Sequence, residues 1–388
     1  MAQRLADRLQ EIGSFKAMDL LARARQLDVS GHRVVHMEVG EPDFPTPGPI
    51  VEAGHRALAD GCTRYTDGVG LEQLRERISD WYHDHYGLAV SASRIVVTAG
   101  ASGALLLASA MVLNTGEGLL MSDPGYPCNR HFMKAFHGEG QLVPVTPDDG
   151  YQLSGALLEK HWQSNTRGAL IASPANPTGA MIGESALRSV LDVLSAREGW
   201  LVMDEIYHGL TYGSDGWQDS VLALTDDALV INSFSKYFGM TGWRLGWLVV
   251  PDTARLDAEK LSQNLFICAS SVAQHAALAA FDDDAQAIME RQRQTLRERR
   301  AYLLEALRGL GFRIPRDPDG AFYIYAQIPD HLPDAESWSR NLLEEHYVSV
   351  TPGTDFGNYL AERHVRFTYV QDIAVLEEGV ARIKRSLG

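Results

Sequence analysis

The chain has 388 residues, of which 45% are apolar and 22% charged, a composition typical of soluble globular proteins. Its 50 Asp and Glu against 35 Lys and Arg give a formal net charge of -15. Because this charge repels phosphodiester backbones and anionic membrane surfaces, we expect neither nucleic acid nor a membrane as a partner. A chain of this length exceeds the size at which one hydrophobic core usually stops growing, so two lobes are expected.

Signals for export, membrane insertion and metal binding are weak. The chain contains three widely spaced cysteines that form no CxxC pair, Cys62, Cys128 and Cys268. Residues 1–13 interleave charged and apolar side chains, unlike a secretory signal, and the longest apolar stretch, 103–113, is too short to cross a bilayer. His83 and His85 lie two apart in a helical stretch and belong to no recognisable set of metal ligands, so a structural or surface role is expected of them. We therefore expect a cytoplasmic protein without a metal site.

Short apolar runs separated by helical segments predict a mostly parallel sheet. The runs are 94–98, 118–121, 169–172, 200–203, 228–231 and 245–250. Runs that are apolar on both faces are typical of a sheet covered by helices, and intervening segments such as 185–197 have helical spacing and length. This alternation predicts an α/β domain.

Polar, glycine-rich or charged segments follow most of these runs. They are 99–103, 123–126, 174–179, 204–207 and 233–236. Ligands of open α/β sheets lie beyond the carboxyl ends of the strands. We therefore expect these segments to form one binding rim.

The chain changes character after about Asp282. A long charged helix is predicted over 285–310, and strand-like segments follow at 321–326 and 365–369. We expect this tail and the N-terminal residues to form a second lobe that closes over the rim. The predicted division is an N-terminal segment at 1–46, a large domain at 47–284 and a small domain at 285–388.

Residues 100–103 follow a strand and open an apolar helix. Small residues there let backbone N–H groups approach a phosphate, and the helix N-terminus adds a favourable dipole. A tight strand-to-helix turn explains the glycines equally well. The patterns GxxxxGK[ST] and GxGxxG are both absent, which argues against a nucleoside triphosphate or a dinucleotide as ligand.

Asp204 and Lys236 each follow a buried strand. Because an unpaired buried charge is costly, these opposite charges indicate either a salt bridge or a ligand that needs both. The neighbouring strand ends add Tyr126 and Asn176, and Arg244 lies shortly beyond the lysine. Together with the anion-binding loop, this collection favours a phosphorylated, aromatic, cationic aldehyde as the ligand.

Motifs along nearly the whole chain resemble the aspartate aminotransferase family, the class I/II aminotransferases of fold type I. They are GEPDF at 40–44, RYT at 64–66, GLEQLR at 70–75, DPGY at 123–126, NPTG at 176–179, DEIY at 204–207, SFSK at 233–236, GMTGWR at 239–244, GAFY at 320–323 and HVR at 364–366. The resemblance implies a large domain with a mostly parallel sheet flanked by helices and a smaller α/β domain formed by both termini. It also implies pyridoxal 5'-phosphate as cofactor.

The resemblance further implies roles around the cofactor ring. Lys236 would hold the cofactor as a Schiff base and move a proton between it and the substrate α-carbon, while Asp204 would keep the ring nitrogen protonated. Asn176 and Tyr207 would hydrogen-bond the phenolic oxygen of the ring, and Tyr126 would stack on its face. Lys236, Asp204 and Tyr207 are thus the catalytic candidates.

Phosphate, substrate and subunit contacts are implied in the same way. The phosphate-binding candidates are the backbone of Ala101 and Ser102 and the side chains of Ser233, Ser235 and Arg244. Tyr65 resembles a tyrosine that relatives lend to the phosphate across a subunit boundary, which implies a homodimer. Arg366 matches the arginine that binds the substrate α-carboxylate, and an interlobe salt bridge is its alternative role. Gly40 would add a backbone contact, and Asn176 and Tyr126 would complete the substrate site.

Substrate specificity is less clearly marked. In one bacterial branch of aspartate aminotransferases, a lysine in the phosphate-loop helix reaches the distal carboxylate, but residues 100–104 contain no lysine. This departure puts dicarboxylate specificity in doubt and favours a neutral L-amino acid as donor, such as alanine, methionine or an aromatic one. The expected acceptor is a 2-oxo acid, 2-oxoglutarate. Phe15 lies in a segment that resembles those folding over the pocket in relatives, so it is a candidate for the side-chain site.

Two other functions compete with transamination. A carbon-sulfur lyase or a synthase on the same scaffold shares the lysine and the ring chemistry, and differs only in the fate of the carbanion. A non-catalytic binding domain, as in certain transcription regulators, is expected to carry a DNA-binding extension. The presence of both Lys236 and Asp204 argues against such a loss of chemistry.

Overall fold

Strands and helices alternate through the middle of the chain in the computed structural model, which describes residues 5–213 and 219–388. The strands are β1 (Val35–His36), β2 (Ile95–Thr98), β3 (Gly118–Asp123), β4 (Glu139–Pro144), β5 (Thr166–Ala172), β6 (Trp200–Asp204), β7 (Leu229–Ser233), β8 (Gly246–Val249), β9 (Tyr323–Gln327), β10 (Val348–Ser349), β11 (Thr351–Pro352) and β12 (His364–Thr368). The α-helices are α1 (Lys16–Val29), α2 (Gly48–Ala59), α3 (Glu72–Tyr86), α4 (Gly100–Val112), α5 (Pro127–Ala135), α6 (Gly155–His161), α7 (Glu184–Ala196), α8 (Arg255–Phe266), α9 (Ser271–Ala277), α10 (Asp283–Gly309), α11 (Ala335–His346) and α12 (Ile373–Ser386).

The central sheet has the strand order β2-β8-β7-β6-β5-β3-β4. Its pairings are parallel except at β8, which runs antiparallel to both β2 and β7. Parallel strands bring their carboxyl ends to one edge, where a ligand can contact several of them. The predicted α/β architecture with a mostly parallel sheet is confirmed.

Helices cover both faces of this sheet, which explains why its inner strands are mainly apolar on both faces. In β6, Leu201 and Met203 pack into one core layer, whereas Val202 packs into the layer on the opposite face. Successive side chains of a strand point to opposite faces, so both must be apolar when both are covered.

Local sequence also explains individual helices. In α3, the buried residues Leu74, Ile78, Trp81 and Tyr82 recur at the spacing of one helical face. The helix ends at Gly87, whose φ of 69° is a left-handed conformation that glycine adopts without a Cβ clash.

The two ends of the chain share a smaller lobe with its own hydrophobic core. It contains the antiparallel sheet β11-β12-β9 and the parallel pair of β1 with β10. Helix α10 joins the lobes, since Met289 packs in the large core and Leu296 in the small one. We retain the domain boundaries 1–46, 47–284 and 285–388 as a proposal. Across the described ranges, every helix is too short or too polar to span a bilayer.

Candidate active site

A cavity of about 530 Å³ lies at the carboxyl ends of β5, β6 and β7, where small-lobe residues close over them. The proposed site residues that line it are Gly40, Ala101, Ser102, Tyr126, Asn176, Asp204, Tyr207, Ser233, Ser235, Lys236, Arg244 and Arg366. Tyr65 is placed elsewhere, because it does not line the cavity and is 80% exposed. One compartment thus collects all the proposed groups except this tyrosine.

The start of α4 is built to receive an anion. Gly100 has a φ of 71°, and no side chain caps the first N–H groups of the helix among the residues described. A Cβ at Gly100 would lie 2.7 Å from Nη2 of Arg244, so glycine is what allows the guanidinium to approach the helix. Uncapped N–H groups and an adjacent guanidinium form the donor set that a phosphate requires.

The loop after β7 holds this guanidinium in place. Arg244 Nη1 donates to the carbonyl of Thr241 at 3.0 Å and lies 3.5 Å from Oγ of Ser235. Ser233 Oγ donates to the carbonyl of Leu245 at 3.2 Å and accepts from the N–H of Ser235 at 3.1 Å. The hydroxyl proton of Ser233 therefore organises the loop, whereas Ser235 lines the cavity and Arg244 lies beside the start of α4.

Asp204, the last residue of β6, is an acid without a cationic side-chain partner within salt-bridge distance among the residues described. It is 4% exposed, and Oδ1 accepts the N–H of Ile206 at 3.1 Å. Burial raises the pKa of Asp204 to about 6, although this N–H and the charge of Lys236 oppose the rise. A cationic ring nitrogen would supply the missing partner.

Lys236 extends into the same cavity from the loop after β7. Its Nζ donates to the carbonyl of Gly40 at 2.8 Å and lies 5.5 Å from the centroid of the Phe322 ring. Desolvation lowers the pKa of Lys236 to about 8, and the carboxylate of Glu41 partly counteracts this effect. A usable fraction of the amine is consequently uncharged near neutral pH and available as a nucleophile.

Arg366 comes from β12 in the small lobe and is 2% exposed. Its guanidinium lies between the rings of Tyr323 and Phe356, at 4.5 and 4.7 Å from their centroids. It donates to Oδ1 of Asn176 at 2.9 Å and to the carbonyl of Glu38, and its Nε has no hydrogen-bond partner among the residues described. Within the described ranges no carboxylate pairs with Arg366, so its contacts do not support the interlobe salt bridge and leave its charge for an anionic ligand.

Two tyrosines narrow the cavity next to Gly40. Tyr207 and Tyr323 are hydrogen-bonded through their hydroxyl groups at 2.7 Å. A Cβ at Gly40 would lie 2.0 Å from the Tyr323 hydroxyl, so this position has no room for a side chain. Tyr323 belongs to the GAFY motif but was not among the predicted site residues, and neither was Phe356.

The remaining lining of the cavity is mainly apolar. It includes Phe15, Ala17, Met18, Val39, Leu105 and Ile206. Phe15 packs edge-on against Tyr126 with ring centroids 6.0 Å apart, as expected of a residue near the side-chain site. The cavity therefore joins an anion-binding end, a central acid and amine, a buried arginine and an apolar side.

Known aminotransferases are similar to this chain over nearly their full length. The chain is 33% identical over 386 residues to the (5-formylfuran-3-yl)methyl phosphate transaminase of Methanocaldococcus jannaschii, with 99% of both chains covered. It is 33% identical over 369 residues to the valine--pyruvate aminotransferase of Mycobacterium tuberculosis, with 95% of both covered. The crystal structure of an aminotransferase from Mycobacterium tuberculosis superimposes with a TM-score of 0.95 at 33% identity, covering 99% of each chain.

A single family match covers the part of the chain over which the separate motifs are distributed. Residues 32–383 match the family described as aminotransferase class I and II. This range includes both lobes and most of the residues that line the cavity. The chain therefore belongs to the class I and II aminotransferases and is a transaminase that uses pyridoxal 5'-phosphate.

Proposed function

We propose that this transaminase moves the amino group of a neutral or aromatic L-amino acid to a 2-oxo acid, with 2-oxoglutarate as the acceptor. The observation that supports the donor class is the distribution of charge in the cavity. Among the described residues lining it, the cationic side chains are Lys236, Arg244 and Arg366. Lys236 and Arg244 are needed for the cofactor, which leaves Arg366 for the α-carboxylate. The apolar side of the cavity is then available to the donor's side chain.

The choice of 2-oxoglutarate rests on the family resemblance. The described cavity residues offer no further cation for its distal carboxylate. The relatives named above differ in their printed substrates, so their names do not select a donor or an acceptor for this chain. The acceptor is therefore best identified by direct assay.

The residues described fit pyridoxal 5'-phosphate. When bound, this cofactor supplies an electron-accepting ring that stabilises the carbanion left when the α-proton of an amino acid departs. We propose that Lys236 holds it covalently and that Asp204 pairs with its ring nitrogen. The proposed phosphate ligands are the backbone of Ala101 and Ser102 together with Ser233, Ser235 and Arg244, and among these the free side-chain donors belong to Ser235 and Arg244.

The other side chains orient the substrate and carry its proton. Arg366 binds the α-carboxylate, which turns the α-hydrogen toward Nζ of Lys236. Because its pKa is about 8, this amine can both accept and return a proton near neutral pH. Tyr126 packs against the cofactor ring, and Asn176 and Tyr207 hydrogen-bond its phenolic oxygen. The apolar side of the cavity keeps water from the reacting carbon.

We also propose that the active unit is a homodimer in which Tyr65 reaches the phosphate of the partner subunit. Tyr65, Leu265 and Ile267 are 80%, 42% and 53% exposed. The segments that carry them are adjacent, since Ser262 Oγ donates to the carbonyl of Gly68 at 2.7 Å. An exposed group of large apolar side chains is typical of a subunit interface.

The donor is tested by mixing the cofactor-loaded protein with single amino acids and following the visible absorbance of the bound cofactor. We expect alanine, methionine or aromatic donors to convert it in one half-reaction and then stop until a 2-oxo acid is added. A clear preference for aspartate would contradict the proposed donor class. Continuous release of ammonia from one amino acid would instead identify a lyase.

A further inference from the structure

A short segment of the small lobe contacts three parts of the site at once. We call residues 353–359, which lie between β11 and β12, the connector. Its residues touch the start of α1, the guanidinium of Arg366 and the carboxyl end of β3. The connector therefore links the small-lobe residues that close the cavity to the end of β3 in the large lobe.

The first contact caps the N-terminus of α1. Asp355 is 2% exposed, and its two carboxylate oxygens accept the N–H groups of Lys16 at 3.0 Å and Ala17 at 3.3 Å. Phe15, the residue before the helix, provides no side-chain cap. A distant carboxylate thus satisfies N–H groups that helices usually satisfy with a local Ser, Thr, Asp or Asn.

The second and third contacts fix the connector itself. The Phe356 ring packs on Arg366, and the carbonyl of Phe356 accepts the N–H of Gly125 at 2.9 Å. Asp123, at the end of β3, accepts the N–H groups of Asn358 and Tyr359 at 3.0 and 3.2 Å. Asp355 is therefore held between an anchored loop and the helix that it caps.

The capped turn reaches the apolar side of the cavity. Phe15, Ala17 and Met18 line this side. The N–H groups that Asp355 accepts, those of Lys16 and Ala17, lie between Phe15 and Met18 in the chain. A shift of this turn would move the surface that meets the donor's side chain and would leave the cofactor-binding end of the cavity unchanged. The connector also links that surface to the arginine proposed to bind the α-carboxylate.

We propose that Asp355 is a positioning residue that holds the first turn of α1 over the side-chain region and thereby determines the affinity for large apolar donors. The inference rests on the proposed function of the cavity. It assigns the selection of donor size to a carboxylate that contacts neither cofactor nor substrate.

The test compares Asp355→Ala, Asp355→Asn and Glu344→Gln with the unaltered enzyme, using phenylalanine and alanine as donors. We expect Asp355→Ala to raise KM for phenylalanine by about 10-fold, because loss of a helix cap has a cost of this order. KM for alanine should rise less, since its methyl group does not extend to the turn and the loss of the Asp355 charge near Arg366 affects both donors alike. The visible absorbance of bound cofactor and kcat should be retained.

Two variants serve as matched comparisons. Asn keeps one acceptor oxygen but replaces the other by an amide nitrogen that cannot accept the second N–H, so Asp355→Asn should restore only part of the affinity for phenylalanine. Glu344 forms an exposed ion pair with Arg23 in the middle of the same helix, at 2.6 Å. Its change to Gln should leave KM for both donors unchanged, because surface ion pairs contribute little.

An equal rise in KM for both donors, an unchanged KM for phenylalanine, or an Asp355→Asn variant as impaired as Asp355→Ala would overturn the inference. If the unaltered enzyme accepts no neutral or aromatic donor, the proposed function fails, and hydrogen exchange then tests the positioning separately. In that measurement the amides of Lys16 and Ala17 should exchange faster in Asp355→Ala than in Glu344→Gln. Equal exchange in the two variants would refute the role of Asp355.

Discussion

At the scale of single residues, one buried environment acts on two opposite charges. Desolvation raises the pKa of Asp204 to about 6 and lowers the pKa of Lys236 to about 8. The acid still ionises at neutral pH, particularly beside a cationic ring, while the amine gains an uncharged fraction. Both shifts favour binding of a ligand that carries an aldehyde and a protonated ring nitrogen.

Replacement of Lys236 by Ala should abolish turnover and the visible absorbance of the bound cofactor, because the covalent attachment and the proton carrier are both lost. Far-ultraviolet circular dichroism should stay unchanged, since the side chain is not part of a core cluster. Transamination at an undiminished rate would show that this lysine is wrongly assigned.

The lowered pKa of Lys236 also predicts how cofactor-free enzyme recovers its cofactor at different pH values. Only the neutral amine attacks the aldehyde, and its pKa is about 8 instead of the ordinary 10.5. The rate of recovery should rise roughly tenfold per pH unit below pH 8 and level off above it. A stopped-flow absorbance series measures this rate, and a rise that continues to about pH 10 would contradict the shift.

Replacement of Arg366 by Leu should raise KM for the amino donor by about 100-fold, because the α-carboxylate loses a buried charged partner. The absorbance of bound cofactor should remain. The KM of Arg366→Lys should lie between those of the unaltered enzyme and Arg366→Leu, since lysine keeps the charge but cannot form the bidentate contact. Loss of cofactor from the Leu variant would indicate a structural or phosphate-binding role for the arginine.

At the scale of elements, the beginning of α4 shows how a turn becomes a binding site. Gly100 adopts a left-handed conformation that brings the first N–H groups of the helix and the guanidinium of Arg244 together. Gly246 allows β8 to lie close to the start of α4, because a Cβ there would lie 2.9 Å from the nitrogen of Ala101. Close packing of strand and helix thus depends on residues without side chains.

Gly100→Ala should weaken cofactor binding by about 10-fold or more, because alanine is strained at this φ and its methyl group displaces Arg244. Gly103→Ala in the same helix is the matched control. A Cβ there meets Thr98 at 3.4 Å, which is ordinary contact, and its φ is not left-handed. Equal cofactor affinity of the two variants, measured by equilibrium dialysis, would argue against the phosphate-binding role of this turn.

The sequence predicted the central strands well because their apolar runs are nearly uninterrupted and bounded by turn residues. It missed β4, whose burial alternates along an edge of the sheet, and the orientation of β8, since a run that is buried on both faces looks the same in either direction. Residues 100–103, which the sequence places at the opening of an apolar helix, form the first turn of α4.

The proposed site residues were found by motif, but residues approaching from the other lobe were less visible. Tyr323 and Phe356 flank Arg366, yet an aromatic residue at a lining position has the same local pattern as one in a core. Only the tertiary arrangement distinguishes the two. Asp355 was invisible for a similar reason, since it caps a helix more than 300 residues away in the sequence.

At the scale of the whole molecule, the cavity lies in the seam between two lobes. The large lobe presents the strand ends and the anion-binding turn, whereas the small lobe presents Arg366 and the apolar side. Tyr65 lies outside the seam, on the surface. A complete phosphate site therefore requires a second copy of the chain if the proposed homodimer is correct.

Tyr65→Phe should lower the affinity for the cofactor by about 10-fold without dissociating the dimer, because one hydrogen bond to a charged phosphate is lost. Absorbance measures the release of the cofactor, and sedimentation velocity shows whether the dimer dissociates. Sedimentation of the unaltered enzyme as a monomer would contradict the homodimer, and an unchanged cofactor affinity would contradict the role of the hydroxyl group.

The pairing of β1 with β10 has a consequence for biosynthesis. Val35 lies beside Val348, so a segment made early by the ribosome must wait for one made near the end. The seven-stranded sheet, whose strands lie between Ile95 and Val249, can assemble during that interval. The groove for the cofactor is thus available on the nascent chain before the lobe that encloses it has been completed.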